Sequence, residues 1–528
     1  MSQAAAASHV ASWSSTAYTV ARPMAEPASS LTIPAGGWTL LVALLGAAVG
    51  SFLNVVIYRL PRGLSISRPR LSFCPTCRQG IAPYDNIPIL SWFLLRGRCR
   101  HCGEPIAAIY PVIECLTLLL FITVWDAAFV GFALPGVERP AADWPVALAW
   151  IVLLSGLLAT AVMDLESYTV DIRICVVTML VGVATRAVWM SEVPGASGRM
   201  GGGSWMPASV SLVACLAGGA WVATCLVAAV LRRSPDDAAA ARNQGLTHEP
   251  VVPDSPTGTS PPSRSSGLVA GLCLAVVVLL IWQAWAPAEP LFGSACHGPD
   301  AASHRIAATV SMVSAAGQRA FIAFSLFLLL LLLASMAHRE ADQQIIAEIE
   351  AERVTARTTA LRELCGFLPA ILVAAVAFHL LRDAGVASVG WIEIADRVRF
   401  LGGAWPHVIG GLEAVAGIVL ASAVGWAARI LGTLAFGKEA YGTGDIYLMA
   451  AIGAVAGPWV VLLSFFMAAF LALFGVLVLL FRKSSRAIPF GPWLALGTLA
   501  ALWMQTFLGE MFRPAAAVLW ELFSKPAG

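Results

Sequence analysis

Charge is scarce in this sequence. Of 528 residues only 33 are Lys or Arg and 31 are Asp or Glu, while 58% are hydrophobic. So little charge on so much apolar surface excludes a water-soluble globule and leaves a polytopic membrane protein. No excess of one sign is present either. The net charge of +2 says little about partners, and no nucleic-acid partner is expected beyond contact with membrane lipid.

Two further absences narrow the reading. The first 36 residues are rich in Ala and Ser but lack a basic n-region ahead of a short apolar core and cleavage site, which argues for a disordered extracytoplasmic tail rather than a signal peptide. No glycine-rich nucleotide loop of recognisable type occurs, so cofactor-binding residues stay unassigned.

What is abundant is apolar sequence in runs of roughly 20 residues, the length that crosses a bilayer. Such runs begin near Gly37, Ile109, Pro145, Ile172, Pro207, Gly267, Arg319, Cys365, Gly410, Pro458 and Phe490, with a shorter, ambiguous run from Ile446 to Gly457. The expected fold is all-α and polytopic, with about 11–12 transmembrane helices and a small cytoplasmic domain of zinc-ribbon type.

Lys and Arg placement orients the spans. Arg59, Arg62, Arg68, Arg70, Arg78, Arg96, Arg98 and Arg100 lie between the first two runs, and the positive-inside rule puts them in the cytoplasm and the N-terminus outside. By alternation the third span, Pro145 to Met163, ends inside at Asp164. The chain then divides into the tail 1–36, a first span 37–60, a cytoplasmic four-cysteine domain 61–108, spans with the first candidate acid 109–190, an inserted region 191–405, and closing spans 406–528. The insertion adds about four spans, a Pro/Ser/Thr-rich linker from Arg232 to Ser266, and a mixed-charge stretch, His338 to Glu363, read as a cytoplasmic helix. Four is even, so the span from Gly410 ends inside near Arg429 and Lys438. Asp445, in "GTGDIYLMAAIG", therefore reaches the same face as Asp164.

In "CPTC" and "CRHC", Cys74, Cys77, Cys99 and Cys102 form two CxxC pairs separated by 21 residues. That is the spacing of a zinc ribbon or knuckle, each turn offering two sulfurs to a tetrahedral metal. Disulfides are the competing reading, disfavoured in a reducing cytoplasm. Four protein thiolates leave no open position, so the metal is structural, and His101 is read as a surface residue. The remaining cysteines, Cys115, Cys175, Cys215, Cys225, Cys273, Cys296 and Cys365, are scattered, and lone cysteines in apolar helices are mostly packing residues.

Acids in or beside membrane spans are costly and point to function. The candidates are Asp164, Glu166, Asp171, Asp445, Glu114 and Glu413. Paired carboxylates share a proton, one acting as base toward a water while the other holds an acid proton, which hydrolyses a peptide bond without metal or covalent intermediate. Gly442 and Gly444 suit such a site because glycine admits close backbone approach. The plain alternative is that Asp445 caps a helix starting at Ile446. Glu166 and Asp171 read as solvated loop acids, and Glu413 as a packed or snorkelling residue.

Several segments, "GSFLNVVIYRLPR", "NIPILSWFLLRGRCRHCGEPI", "YPVIE", "GTGDIYLMAAIGAVAG" and "IPFGPWLALG", resemble the bacterial type IV prepilin peptidases. The resemblance covers roughly Gly37 to Val183 and Gly410 to Gln505. It implies a multi-pass enzyme of the bacterial inner membrane, its active site on the cytoplasmic face, that cuts the basic leader from prepilins and pseudopilins of type IV pili and type II secretion. It further implies N-methylation of the new terminus with S-adenosylmethionine. By motif, Asp164 and Asp445 match the two catalytic aspartates, and Cys74, Cys77, Cys99 and Cys102 the domain linked to methylation. Asp171 and Ile172 stand where the family has Pro-Asp, and Tyr447 replaces the lysine of its GxGDxK motif, removing a cation from beside the second acid. Leader recognition by Asp85 or Glu104 is a further expectation. The alternatives are a peptidase without methylation and, from another class, a transporter or scaffold whose acids line an ion path.

Overall fold

The structure, a computed structural model, describes residues 35–69, 72–74, 76–125, 128–129, 144–189, 208–231, 355–383, 405–481 and 489–502. The expected tail, the apolar runs near Gly267 and Arg319, Cys273, Cys296 and the linker from Arg232 lie outside them. Of the two units into which the chain divides, Met1–Trp38 and Thr39–Gly528, the first is represented only by the start of the first helix.

Eleven α-helices follow one another among the described residues: α1 Ala35–Arg59, α2 Leu90–Leu94, α3 Ile109–Trp125, α4 Trp144–Ser167, α5 Ile172–Val188, α6 Ala208–Leu231, α7 Ala356–Asp383, α8 Trp405–Phe436, α9 Thr443–Ala456, α10 Pro458–Phe481 and α11 Gly491–Leu502. No β-strand occurs among those residues, so the all-α polytopic expectation stands. Among the described residues five stretches are long and apolar enough to cross a membrane, Trp38–Arg59, Trp144–Ser167, Ser209–Ala228, Ala356–Asp383 and His407–Phe436. Four shorter apolar helices accompany them, Ile109–Trp125, Thr443–Ala456, Pro458–Leu473 and Gly491–Leu502. The run expected from Ile172 forms α5, whose Arg173 and Arg186 lower its apolar character.

Burial is concentrated on α3, α4, α9 and α11, where Leu116, Leu120, Leu153, Leu158, Met449, Ile452 and Trp493 are fully enclosed. The short α9 is the centre of the bundle and packs on α4, α5, α8 and α10. It stops at Gly457, whose φ of 86 admits the turn, and Pro458 then opens α10. By contrast, Leu41, Leu45, Leu226, Leu372, Leu380, Phe470 and Leu473 are exposed, which suits faces turned to lipid and would be a liability in water.

Side-chain contacts set helix direction. Arg186, late in α5, pairs with Glu413, early in α8, at 3.1 Å, so these helices run antiparallel. Glu413 is thus a buried ion-pair partner, not a snorkelling residue. Cys215 of α6 bonds the Leu412 carbonyl of α8 at 3.4 Å, while Trp221 stacks on Phe367 of α7 and Phe367 meets Trp426 of α8 at a tilt, with ring centroids 5.5 and 5.2 Å apart. Helix α6 therefore runs parallel to α8. Glu363, early in α7, meets Arg429, late in α8, so α7 runs antiparallel to it. Of the charged stretch ending at Glu363, residues 338–354 lie outside the described residues, and 356–363 form the first turns of α7, continuous with the span expected from Cys365.

Between α1 and α3, the buried Arg59 folds the chain back by donating from Nη1 to the carbonyls of Ser65, Ile66 and Pro69 at 3.1, 3.0 and 2.9 Å. The polar segment is fastened to the bundle by Glu114 of α3, whose Oε2 accepts the Ile89 N–H at 2.6 Å. Glu114 thus serves docking.

Candidate active site

Asp164 sits in the last turn of α4 and Asp445 in the first turn of α9, and both are buried, 6% and 9% exposed. The helices that carry them pack together, and the carboxylates are close enough for Asp445 to feel the charge of Asp164. The structure thus brings these two predicted residues into one site. Among the described residues no hydrogen bond reaches the Asp445 carboxylate. A buried acid without a partner, beside a second acid, is expensive to maintain, as expected of a site kept for chemistry rather than stability.

Helix α9 begins at Thr443 with Gly442 as its N-cap. Asp445 is therefore inside the helix, and the reading of it as a cap for a helix starting at Ile446 fails. Gly444 is required by close approach: a Cβ there would lie 2.8 Å from Cβ of Val170, in the turn joining α4 to α5. That turn contains Tyr168 at φ 53 and closes with Asp171, the N-cap of α5, whose carboxylate accepts the Arg173 N–H at 2.8 Å and pairs with its guanidinium. Arg173 holds the Asp171 carboxyl below the ordinary carboxylate range. Asp171 is thus a capping residue rather than a merely solvated acid.

One contributor was not singled out in the sequence. The Gly491 N–H, at the start of α11, donates to Asp164 Oδ2 at 3.0 Å, and a Cβ on Gly491 would come within 2.8 Å of that oxygen. Next to it, Phe490 meets the buried Tyr441 edge to face at 5.3 Å. The glycine lies in the "IPFGPW" segment quoted above, but nothing local distinguishes it from glycines that merely pack helices. Tyr447, where the resembling family has lysine, is 37% exposed.

The four cysteines come together as expected. Ligand atoms of Cys74, Cys77, Cys99 and Cys102 lie within 4.8 Å of one another, and the Cys74 and Cys102 sulfurs are 3.9 Å apart. Sulfurs around a tetrahedral zinc at about 2.3 Å stand roughly 3.8 Å apart, so the set fits such an ion. The two turns repeat each other. Arg78 N–H bonds the Cys74 carbonyl and Gly103 N–H the Cys99 carbonyl, at 2.8 and 3.0 Å, while the N–H groups of Cys74 and Cys99 bond the carbonyls of Gln79 and Glu104 at 3.0 and 2.9 Å. Arg78 and Gly103 both take positive φ, 58 and 73, and each turn closes on an isolated bridge, Phe73 with Gly80 and Arg98 with Pro105. Backbone N–H groups of Cys102 and His101 pull the Cys99 thiol down to about 7, toward the thiolate a metal requires. None of the four forms a disulfide, and His101 is exposed.

Asp85, expected to help read a basic leader, is paired with an arginine of the same segment. Arg100 grips it with two hydrogen bonds, of 2.7 and 2.6 Å, and lowers its carboxyl below the usual range.

Residues 44–127 match the Bacterial Peptidase A24 N-terminal domain. The chain is 45% identical over 140 residues to the "Prepilin leader peptidase/N-methyltransferase" of Myxococcus xanthus, an alignment covering 26% of this chain and 38% of that protein. A protein of the same name from Klebsiella pneumoniae is 40% identical over 137 residues, 25% of this chain and 54% of the relative. The "Type 4 prepilin-like proteins leader peptide-processing enzyme" of Escherichia coli is 38% identical over 139 residues, 23% and 46%. The chain thus spans about half the length or less of these relatives. No solved structure matches it.

Proposed function

We propose that this relative of the type IV prepilin peptidases is a membrane aspartic endopeptidase that removes the basic leader from prepilins or pseudopilins. The observation that carries this reading is the pairing of Asp164 and Asp445, two buried carboxylates from separate helices, one steadied by the Gly491 N–H and the other without a hydrogen-bonded partner among the described residues. A water held between them loses a proton to one carboxylate as its oxygen attacks the scissile carbonyl carbon. The other carboxyl, protonated, gives its proton to the departing amine as the C–N bond breaks, so the pair returns with one proton shared.

The site belongs on the cytoplasmic face of the inner membrane. Arg173, close after Asp164 in the chain, donates from Nη2 to the Leu60 carbonyl at 3.2 Å, tying the acids' end of the bundle to the end of α1, where the arginine-rich segment begins. The positive-inside rule puts that segment in the cytoplasm, where a basic leader would reach the acids. The pilin's apolar helix would stay among the spans. Both acids stand at helix ends rather than midway along them, which disfavours an ion path.

The second activity named in the relatives, N-methylation of the new terminus, would take its methyl group from S-adenosylmethionine. We assign it to segment 61–108, folded by a zinc ion on Cys74, Cys77, Cys99 and Cys102. Zinc held there by the four cysteines would supply fold stability and would keep no open position for chemistry.

The test is leader removal from a co-expressed, tagged prepilin, read as a mobility shift. Asp164→Asn and Asp445→Asn are each expected to abolish the shift, and full processing by either variant ends the aspartic mechanism.

A further inference from the structure

The loop 437–442 that delivers Asp445 to the site is held from outside the region resembling the peptidases. Arg429, near the end of α8, donates from Nη1 to the Tyr441 carbonyl at 2.7 Å and pairs with Glu439. Its Nε faces both carboxylate oxygens of Glu363, at 3.2 Å each. Glu363 belongs to α7, within the stretch 191–405 read from sequence as an insertion.

The geometry points to α7 as a positioning element for Asp445, acting through the relay Glu363, Arg429 and the Tyr441 carbonyl. This inference rests on the reading of Asp164 and Asp445 as the catalytic pair. Arg429 is nearly enclosed, its side chain 11% exposed, and a guanidinium so placed needs charged partners to hold one orientation. Glu363 provides one of them and fixes the Nε edge, which leaves Nη1 aimed at Tyr441. Tyr441 in turn packs edge to face on Phe490, whose neighbour Gly491 holds Asp164. One arginine therefore stands behind both acids. Helix α7 is seated firmly enough to serve as the fixed end: Phe367 bridges Trp221 and Trp426, and the Arg357 guanidinium lies 3.3 Å from the position a Cβ on Gly437 would occupy. Gly437 itself has φ 67 and starts the loop.

Glu363 and Arg429 touch neither substrate nor water in this scheme, so they are positioning residues, and their loss should lower turnover without weakening substrate binding. The experiment uses the purified full-length chain and a tagged type IV prepilin with its basic leader, comparing kcat and KM. Glu363→Ala is expected to lower kcat about tenfold, since a misplaced catalytic group costs rate steeply, with KM within about twofold. Glu363→Gln, which keeps an acceptor for Nε but not the charge, should recover part of the loss. Adding Glu363→Ala to Arg429→Ala should cost nothing further, because residues on one relay are not additive. If Glu363→Ala fails to accumulate, Arg429→Lys decides: a lysine cannot hold Glu363 and the Tyr441 carbonyl together, so kcat must again fall at constant KM. Unchanged kcat in Glu363→Ala or in Arg429→Lys, or additive losses in the double variant, overturns the inference. Asp445→Asn is run alongside: its inactivity beside a fully active Glu363→Ala removes only the positioning role, whereas full activity of Asp445→Asn removes the catalytic pair itself.

Discussion

Gly491 donates its backbone N–H to Asp164 Oδ2 across 3.0 Å, although 327 positions separate them in the chain. The start of α11 thus orients an acid on α4, and the contact holds only while no side chain intervenes. Replacing Gly491 with Ala puts a Cβ within 2.8 Å of that oxygen, so the carboxylate or the helix must move. Cleavage of a tagged prepilin by Gly491→Ala is expected to fall about 100-fold, while the amount of chain in the membrane stays near wild type. Initial rates normalised to immunoblot signal measure this, and wild-type rates would show that the contact is incidental.

Gly444→Ala makes a separate steric demand. Its Cβ would meet Val170 Cβ at 2.8 Å, forcing the start of α9 away from the turn that follows Asp164. Removing the obstacle with Val170→Gly, which takes away the Cβ itself, should restore activity to the double variant. The interaction energy from the cycle should be about 1 kcal/mol or more, as for residues in contact. Independent, additive losses would mean that Gly444 acts by some other route.

Metal removal separates the two proposed activities. Wild-type protein is expected to carry about one zinc per chain and Cys99→Ser/Cys102→Ser little or none, as elemental analysis would show. Leader cleavage should persist in this variant while N-terminal methylation of the product, followed by mass spectrometry, drops. Unchanged methylation in metal-free protein removes segment 61–108 from the reaction.

Asp171 supplies a pH signature away from the acid pair. Its carboxyl is held low by Arg173, with the Arg173 backbone N–H adding to the effect. The folded state therefore stays ionised where the unfolded chain already binds a proton. The resulting stabilisation is complete above the ordinary carboxylate value of about 4 and is lost as pH falls through the depressed one. Asp171→Asn is expected to lower thermal stability modestly at neutral pH, by no more than about 1 kcal/mol, and the difference should vanish in acid. A gap independent of pH would leave the ion pair without influence.

The helices were legible because crossing a bilayer imposes long apolar runs, and those expected near Gly37, Ile109, Pro145, Ile172, Pro207, Cys365, Gly410, Pro458 and Phe490 all form helices. The α7 boundary was less so: charge suggested a cytoplasmic helix reaching Glu363, and its described end, 356–363, forms the first turns of the span, where Arg357 and Glu363 both find partners on α8 and the loop after it. The four-cysteine centre could be read from spacing alone, since a CxxC turn is a local structure that presents its sulfurs wherever it folds.

By itself the sequence determined a polytopic helical chain and a four-cysteine cluster between its first two spans, and it led to the expectation of two acids on one face. Those follow from solvation cost and short-range geometry, which each segment meets independently. Only the tertiary structure decided that Asp164 and Asp445 share a buried site, that Asp445 lies within α9 instead of capping it, that Gly491 steadies Asp164, and that Glu363 reaches the loop before Asp445 through Arg429. These depend on how helices distant in sequence pack against one another, and no local preference of the chain records which glycine or arginine such packing will select.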